Sequence, residues 1–585
     1  MTSSTISPSQ RKPGEPNTGW NSWWLLVLWS APLVFLALFY FYPLTSILRL
    51  SFARALEGAA NPFFQAFATP GLRGVIWFTF WQAAVSTLLT LLIGLPGAYL
   101  FARHEFRGKS LIQALAGIPF VLPTLVVAAA FNALVGPRGF ANLALMEVFN
   151  LPEPPMQISH SLSAILIAHM FYNTTIVLRM VGDFWSHLDP RFYQAARTLG
   201  ASPWQALNRV TLPLLIPSIA AASLLIFIFD FTSFGVILVL GGPRFATLEV
   251  EIYNQTVSLF NLPLAAALSI IQLAITLALA VVYTRLSNRI SRPIRLRPRS
   301  YTRTRLVSLS SRLFAAITIT LLLAFLTTPL VALAARSFTS YETGRGGQSP
   351  AAWRITLDYY RQLSANPRGS LFFVPPSTAI RISLTYALTT VALALGLGLP
   401  AAWALARAGD APLNRWLDPI LMLPLGTSAV TLGLGFIVAL NRSPLDLRAS
   451  PALIPIAHTL VAFPFVVRSL TPALRSIQPR LRQAAAILGA SPLEVFRSID
   501  LPLIGRALLV AATFAFTISM GEFGATALIA RPEYPTIPLV IYRFLSQPGG
   551  LNYGQALALS SILMMVTAGG MLAIERFRIA DVGEF

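Results

Sequence analysis

Apolar stretches of about twenty residues, separated by short polar segments rich in Arg, Gly and Pro, succeed one another along the whole chain, and each is long enough to cross a bilayer as a helix. In the first half they run from Trp23 to Tyr42, Val75 to Leu100, Leu111 to Val135, Leu162 to Val181, Leu214 to Leu240 and Pro263 to Tyr283. In the second half they run from Leu313 to Ala335, Ala379 to Leu405, Leu417 to Leu440, Pro451 to Leu470, Leu503 to Ala530 and Tyr553 to Ile574. The pattern predicts an all-α polytopic membrane protein of about 12 transmembrane helices. Six spans in each half place both termini on one side and make the halves parallel repeats.

The polar segments carry the repeat. PRFYQAARTLGASPWQALNRVTLP, from Pro190 to Pro213, returns as PRLRQAAAILGASPLEVFRSIDLP from Pro479 to Pro502, a gapless separation of 289 residues. GLPGAYLFAR from Gly94 returns as GLPAAWALAR from Gly398, 304 residues on, and His169 and Arg179 return as His458 and Arg468 at 289. The chain is two copies of one unit. Within the polar copies, Pro190 and Pro479 suit the first turn of a short helix, Gly200 and Gly489 a tight turn, and Ser202-Pro203 and Ser491-Pro492 the N-cap and first position of a second helix. Two short helices at a sharp angle predict a knob with an Ala-lined face, formed by Ala195 and Ala196 in one copy and Ala484 and Ala485 in the other.

Charge gives the knobs a side. Arg103, Arg107 and Lys109 follow the second span and Arg191, Arg197 and Arg209 the fourth, and Arg407, Arg415, Arg475, Arg480, Arg482 and Arg497 repeat the pattern. The positive-inside rule puts these loops, and both termini, in the cytoplasm. The net charge of +21 is therefore topological and no nucleic-acid partner is implied. The expected organisation is a tail over 1–22, a first half over 23–285, an Arg-rich linker over 286–312 held against anionic headgroups, a second half over 313–576, and a tail over 577–585. The longer segment from Arg336 to Ser377, with Trp353, Tyr359 and Tyr360, falls on the outer side. With 55% hydrophobic and 11% charged residues the composition excludes a soluble domain, and the absence of cysteine excludes disulfides and thiolate chemistry.

At the two polar copies the chain resembles the inner-membrane permeases of binding-protein-dependent ABC importers, whose cytoplasmic loop reads E-A-A, three residues, G, nine residues, I-x-L-P. Both copies keep that spacing, with Gln194 and Gln483 in place of the Glu. The resemblance implies that Gln194, Ala195, Ala196, Gly200, Leu212 and Pro213, with Gln483, Ala484, Ala485, Gly489, Leu501 and Pro502, couple the chain to an ABC ATPase subunit present in two copies. A substrate-binding protein outside the membrane is implied too. GEFGATALIARPEYPTIPLVIYRFLSQPG, from Gly521, further resembles the fused permeases of the thiamine and ferric-iron importers, which implies thiamine first and ferric iron next as substrate. Other small solutes, a polyamine or an anion, are the alternatives within that class.

The chain shows no energy source of its own. RHEFRGKS, from Arg103, ends like a phosphate-binding loop but has Arg where the first Gly belongs. No chain of buried ionisable groups suggests proton coupling, and no cofactor, metal or catalytic constellation is expected. A 12-helix secondary carrier, the alternative of a different class, would carry a Gly-x-x-x-Asp-Arg loop after its second span, and Arg103 to Ser110 lacks it. Two acids remain inside spans, Asp230 in FDFTSFG and Glu522 in SMGEFGA, aligned with Ser519 and Ser233 respectively, about one helical turn apart. Asp230, Ser233, Ser519 and Glu522 are thus candidates for the translocation pathway, with helix packing as the alternative role. His169 and His458 are read as packing residues.

Overall fold

The computed structural model describes residues 22–56, 61–242, 244–290, 304–306, 308–342, 352–364, 374–407, 412–441 and 446–579. Among them, ten helices are long and apolar enough to cross a membrane, and twelve if each of two bent pairs is one pass. The protein is an all-α polytopic membrane protein, and the strands among the described residues are confined to two short pairs.

The amphipathy of the crossing helices is inverted relative to a soluble fold. Along Pro70–Arg103, Trp77, Trp81, Leu88 and Leu92 are exposed, while Thr79, Gln82, Ser86 and Thr90 are buried. Apolar side chains face the hydrocarbon and polar groups find partners between helices, because lipid offers them none. The GLP repeat has a packing cause. A Cβ on Gly94 would lie 2.6 Å from Val177 Cβ, and one on Gly398 2.6 Å from Val466 Cγ1, and these valines are themselves 289 residues apart. Only a hydrogen side chain lets the helices Pro70–Arg103 and Pro376–Arg407 lie this close to the helices that end near the knobs.

Four predicted spans are not continuous helices. Leu111–Val135 is two helices, Lys109–Val121 and Thr124–Val135, parted at Leu122-Pro123. Its counterpart Leu417–Leu440 bends by 97° between Leu417–Gly426 and Ala429–Ala439. Leu214–Leu240 is helical to Phe231 and restarts as Gly235–Leu240, and Leu503–Ala530 is helical over Gly505–Gly521 and restarts as Gly524–Ile529. Hydropathy registers apolar length alone, whereas Pro123, Gly235 and Gly524 mark where the backbone departs from a helix. Past each restart a further helix, Leu248–Val257 or Ile537–Leu545, returns into the bundle. The Leu248 N–H donates to Thr79 Oγ1 at 3.0 Å and the Ile537 N–H to Ser383 Oγ at 2.8 Å, equivalent bonds in the two halves.

The first spans cross over. Ser22–Leu36 and Tyr42–Leu56, joined by a π-helical turn, extend the predicted Trp23–Tyr42 and pack on the second half: Tyr40 Oη lies 2.7 Å from Thr427 Oγ1. Reciprocally, Leu309–Ser337 packs on the first half, with Phe325 against Phe171 at 6.1 Å and Phe314 against Tyr99 at 5.8 Å. Each half therefore clasps the other.

At the two ends of the expected linker, the preceding helix continues to Ile290 and the next begins at Leu309. Arg292, Arg295, Arg297, Arg299 and Arg303 lie outside the described residues. Thr304–Arg305 pairs in parallel with His104–Glu105, which holds the linker's end to the face that carries the knobs. On the opposite face, Thr339–Glu342 and Ala352–Ile355 pair as antiparallel strands, and Phe338 stacks on Tyr360 at 4.9 Å. The last helix reaches Ile579, past the expected boundary at 576.

Candidate functional site

Both polar copies fold as knobs with the same backbone chemistry. Arg191–Thr198 and Pro479–Ile487 are the first helices, and each ends in a left-handed glycine, Gly200 at φ +87° and Gly489 at φ +85°. The Gly200 N–H donates to Arg197 O at 3.1 Å and the Ala201 N–H to Ala196 O at 3.0 Å. In the second copy Gly489 and Ala490 donate to Ala486 O and Ala485 O, each at 3.0 Å. This is the paired 5→2 and 6→1 closure of a Schellman turn, which satisfies the last carbonyls of each helix. Ser202 then caps Pro203–Ala206 in a capping box with Gln205, and Ser491 and Glu494 repeat the box.

Gln194, Ala195, Gln483 and Ala484 are exposed or nearly so, with Ala196 and Ala485 behind them on the same short helices. Large apolar side chains stand out of the same surfaces: Phe192, Leu199 and Trp204 on one knob, Leu481, Ile487, Leu488 and Leu493 on the other. Leu199 is 88% exposed and Leu488 87%, at equivalent positions. Leu212-Pro213 begins the helix Leu212–Phe231 that leads back into the bundle, whereas Leu501-Pro502 lies in a three-residue helix, Leu501–Leu503, ahead of Gly505–Gly521. RHEFRGKS is no phosphate cradle, since Lys109 Nζ is engaged by His104 O at 2.8 Å and Glu105 Oε2 at 3.2 Å.

The pathway candidates gather at the two helix breaks, around the histidines. Asp230 lies at the end of its helix, 1% exposed; its Oδ1 accepts from Asn173 Nδ2 at 2.7 Å and its main-chain carbonyl from Gln82 Nε2 at 2.9 Å. His169 reaches Ser86 Oγ at 3.1 Å through Nδ1 and Ser233 Oγ at 2.9 Å through Nε2. In the second half His458 reaches Ser519 Oγ at 2.7 Å and Thr526 Oγ1 at 2.9 Å, with Glu522 Oε2 3.1 Å from Nε2. Glu522 lies in the break itself and caps the restarted helix, accepting from the Ala525 N–H at 2.8 Å, the Thr526 N–H at 3.1 Å and the Thr526 hydroxyl at 2.7 Å. All four residues are thus hydrogen-bonded inside their own halves. The histidines, read as packing residues, are the hubs that bring them together.

Two further acids hold structure that hydropathy did not single out. Glu249, buried in Leu248–Val257, crosses to the second half, where Ser428 Oγ donates to it at 2.6 Å, and it accepts from Gln272 as well. Asp500, buried at the base of the second knob, accepts from Arg482 Nε at 2.6 Å, Arg407 at 3.3 Å and the Trp403 indole at 3.0 Å. The first lies outside any long apolar run; the second sits in the Ile-Asp-Leu-Pro signature and reads there as surface. Among the described residues no group of three or more His, Asp or Glu is placed to hold a metal ion.

Residues 91–292 match the family of binding-protein-dependent transport system inner membrane components. Over most of its length the chain is similar to a thiamine transport system permease protein of Brucella suis biovar 1, 28% identical across 86% of each chain. The thiamine transport system permease protein of Escherichia coli K12 is 26% identical over 84% of this chain and 88% of its own. A probable ABC transporter permease protein of Sinorhizobium fredii is 26% identical over 80% and 81%.

Proposed function

We propose that this chain, an inner-membrane permease of a binding-protein-dependent ABC importer with both halves on one polypeptide, forms the translocation pathway for thiamine and draws its energy from two ATPase subunits docked on its knobs. The observation that carries this reading is the pair of knobs. Two Schellman-closed, Ser-capped loops stand on one face, 289 residues apart, each presenting exposed apolar side chains around a small-residue helix. A soluble partner that covered them would bury those side chains, at about 25 cal/mol per Å² of apolar surface. Because the first knob runs straight into a helix that ends at a break and the second joins its counterpart across a bend, displacement of a knob is carried to the centre of the bundle in this reading.

The knob face is cytoplasmic in this reading, as are both termini, and the face bearing the paired strands Thr339–Glu342 and Ala352–Ile355 receives a binding protein. Asp230, Ser233, Ser519 and Glu522 line the pathway wall as pins for its broken helices rather than as free charges. Thiamine as substrate rests on the relatives' names. The test is reconstitution in liposomes with the ATPase and binding protein: ATP-dependent accumulation of radiolabelled thiamine supports the reading. Accumulation of ferric iron or a polyamine in its place reassigns the substrate, and thiamine uptake independent of ATP overturns the coupling.

A further inference from the structure

Phe234 and Phe523 are repeat-equivalent, and they stack on one another, with ring centroids 5.4 Å apart and planes 20° from parallel. Residues that meet their own repeat equivalents lie on the axis relating the halves, which is where a pathway between two parallel repeats must run. Each phenylalanine is flanked by an equivalent tyrosine: Tyr253 lies 5.4 Å from Phe234, and Tyr542 5.4 Å from Phe523. The tyrosines come from Leu248–Val257 and Ile537–Leu545, the helices that return into the bundle, and the phenylalanines from the helix breaks.

The backbone around the rings is built for their meeting. A Cβ on Gly235 would overlap Thr124 Oγ1, and one on Gly524 would lie 3.0 Å from Ala429 Cβ, again equivalent contacts. The glycines let each restarted helix press against Thr124–Val135 or its counterpart Ala429–Ala439, and the preceding phenylalanine is thrown onto the axis. Phe234 and Phe523 are buried, and Tyr253 and Tyr542 are half-buried beside them.

We propose that Phe234, Phe523, Tyr253 and Tyr542 form an aromatic gate that, on parting, takes a flat aromatic cation between its rings. Four π-faces around one axis offer stacking to a planar heterocycle and quadrupole attraction to its positive charge. Asp230 Oδ1 and both Glu522 oxygens are turned to donors within their own halves, and the attraction is assigned to the rings. The inference rests on the importer reading and names the chemistry its pathway selects.

The chain has no cysteine, so the gate can be locked directly. Phe234→Cys with Phe523→Cys, assembled with the ATPase and binding protein, is expected to form an intramolecular disulfide on oxidation, read by mass spectrometry. Thiamine uptake should then stop and return with reductant. A disulfide that leaves uptake intact overturns the gate. Phe234→Leu with Phe523→Leu keeps the apolar plug but removes two rings. At saturating loaded binding protein it is expected to lower the maximal thiamine uptake rate about tenfold while ATP hydrolysis and assembly persist, the size of effect that losing one to two stacking contacts would give; an unchanged rate overturns recognition by the rings. Failure of the unaltered protein to take up thiamine with ATP would strike the thiamine reading itself, a result distinct from both.

Discussion

Arg482 Nε lies 2.6 Å from Asp500 Oδ1, which ties the second knob's first helix to the base of the helix leading into the membrane. The equivalent positions in the first half are Tyr193 and Thr211, which cannot form an ion pair. The helices joining knobs to bundle differ in parallel: Pro203–Phe231 runs as one span, while Leu493–Leu503 meets Gly505–Gly521 at 72°. The second knob is braced by charge across a bend and the first by helix continuity.

Removing the acid while leaving its two arginines strands partly buried charge, which costs about 3–5 kcal/mol when a buried pair is broken. Asp500→Asn is therefore expected to lower the thermal unfolding midpoint markedly, measured by size-exclusion survival after heating. Thr211→Val in the first half is expected to change it little. Equal effects would mean that the ion cluster does not brace the knob.

Gly200 and Gly489 have open space where a Cβ would stand, so a substitution there meets backbone strain rather than a clash. The left-handed region costs an L-residue about 1–2 kcal/mol, and Asn least. ATPase stimulation is expected to fall in the order Gly, Asn, Ala, Val at either position, with the membrane bundle still inserted. A flat series would show that the turn does not matter to coupling.

At the breaks the two acids should respond unequally. Glu522 accepts three donors with both oxygens, and Gln would replace one acceptor by a donor facing main-chain N–H groups. Asp230 accepts at Oδ1, and its Oδ2 has no hydrogen-bond partner among the described residues. Glu522→Gln is expected to cost about 1–3 kcal/mol of stability, and Asp230→Asn close to nothing, with thiamine uptake following stability. Slowed uptake in a fully stable Asp230→Asn protein would instead give that charge a role in attracting the substrate.

The close approach of Gly398 to Val466 predicts a rescue. Gly398→Ala forces the two helices apart, at about 1–3 kcal/mol for overpacking, and Val466→Ala should restore much of the loss. Gly71→Ala, with nothing near its added carbon, is expected to be neutral. Additive losses in the Gly398 and Val466 double variant would refute the contact.

What the chain shows before folding is its length scale and its duplication. Apolar runs located the crossing helices, and the 289-residue offset located the knobs, because Gly200 and Ser202 act through local backbone geometry written in their own sequence. The breaks at Phe234 and Phe523 were not legible, since phenylalanine raises hydropathy whether it continues a helix or ends one. Nor were the crossed-over first spans, the Glu249–Ser428 bond or the stacked phenylalanines, which depend on which half each element packs against. The offset pairs Phe234 with Phe523 as equivalents; only the fold makes them neighbours.

Docking of ATPase subunits on both knobs is open to cross-linking from this cysteine-free chain. Leu199→Cys and Leu488→Cys, made singly and labelled with a short photoactivatable reagent, are placed in a complex that hydrolyses ATP. Given that docking, cross-links from each position to the ATPase are expected, and are lost when the ATPase is omitted. A hydrolysing complex that yields no cross-link from either knob would contradict it.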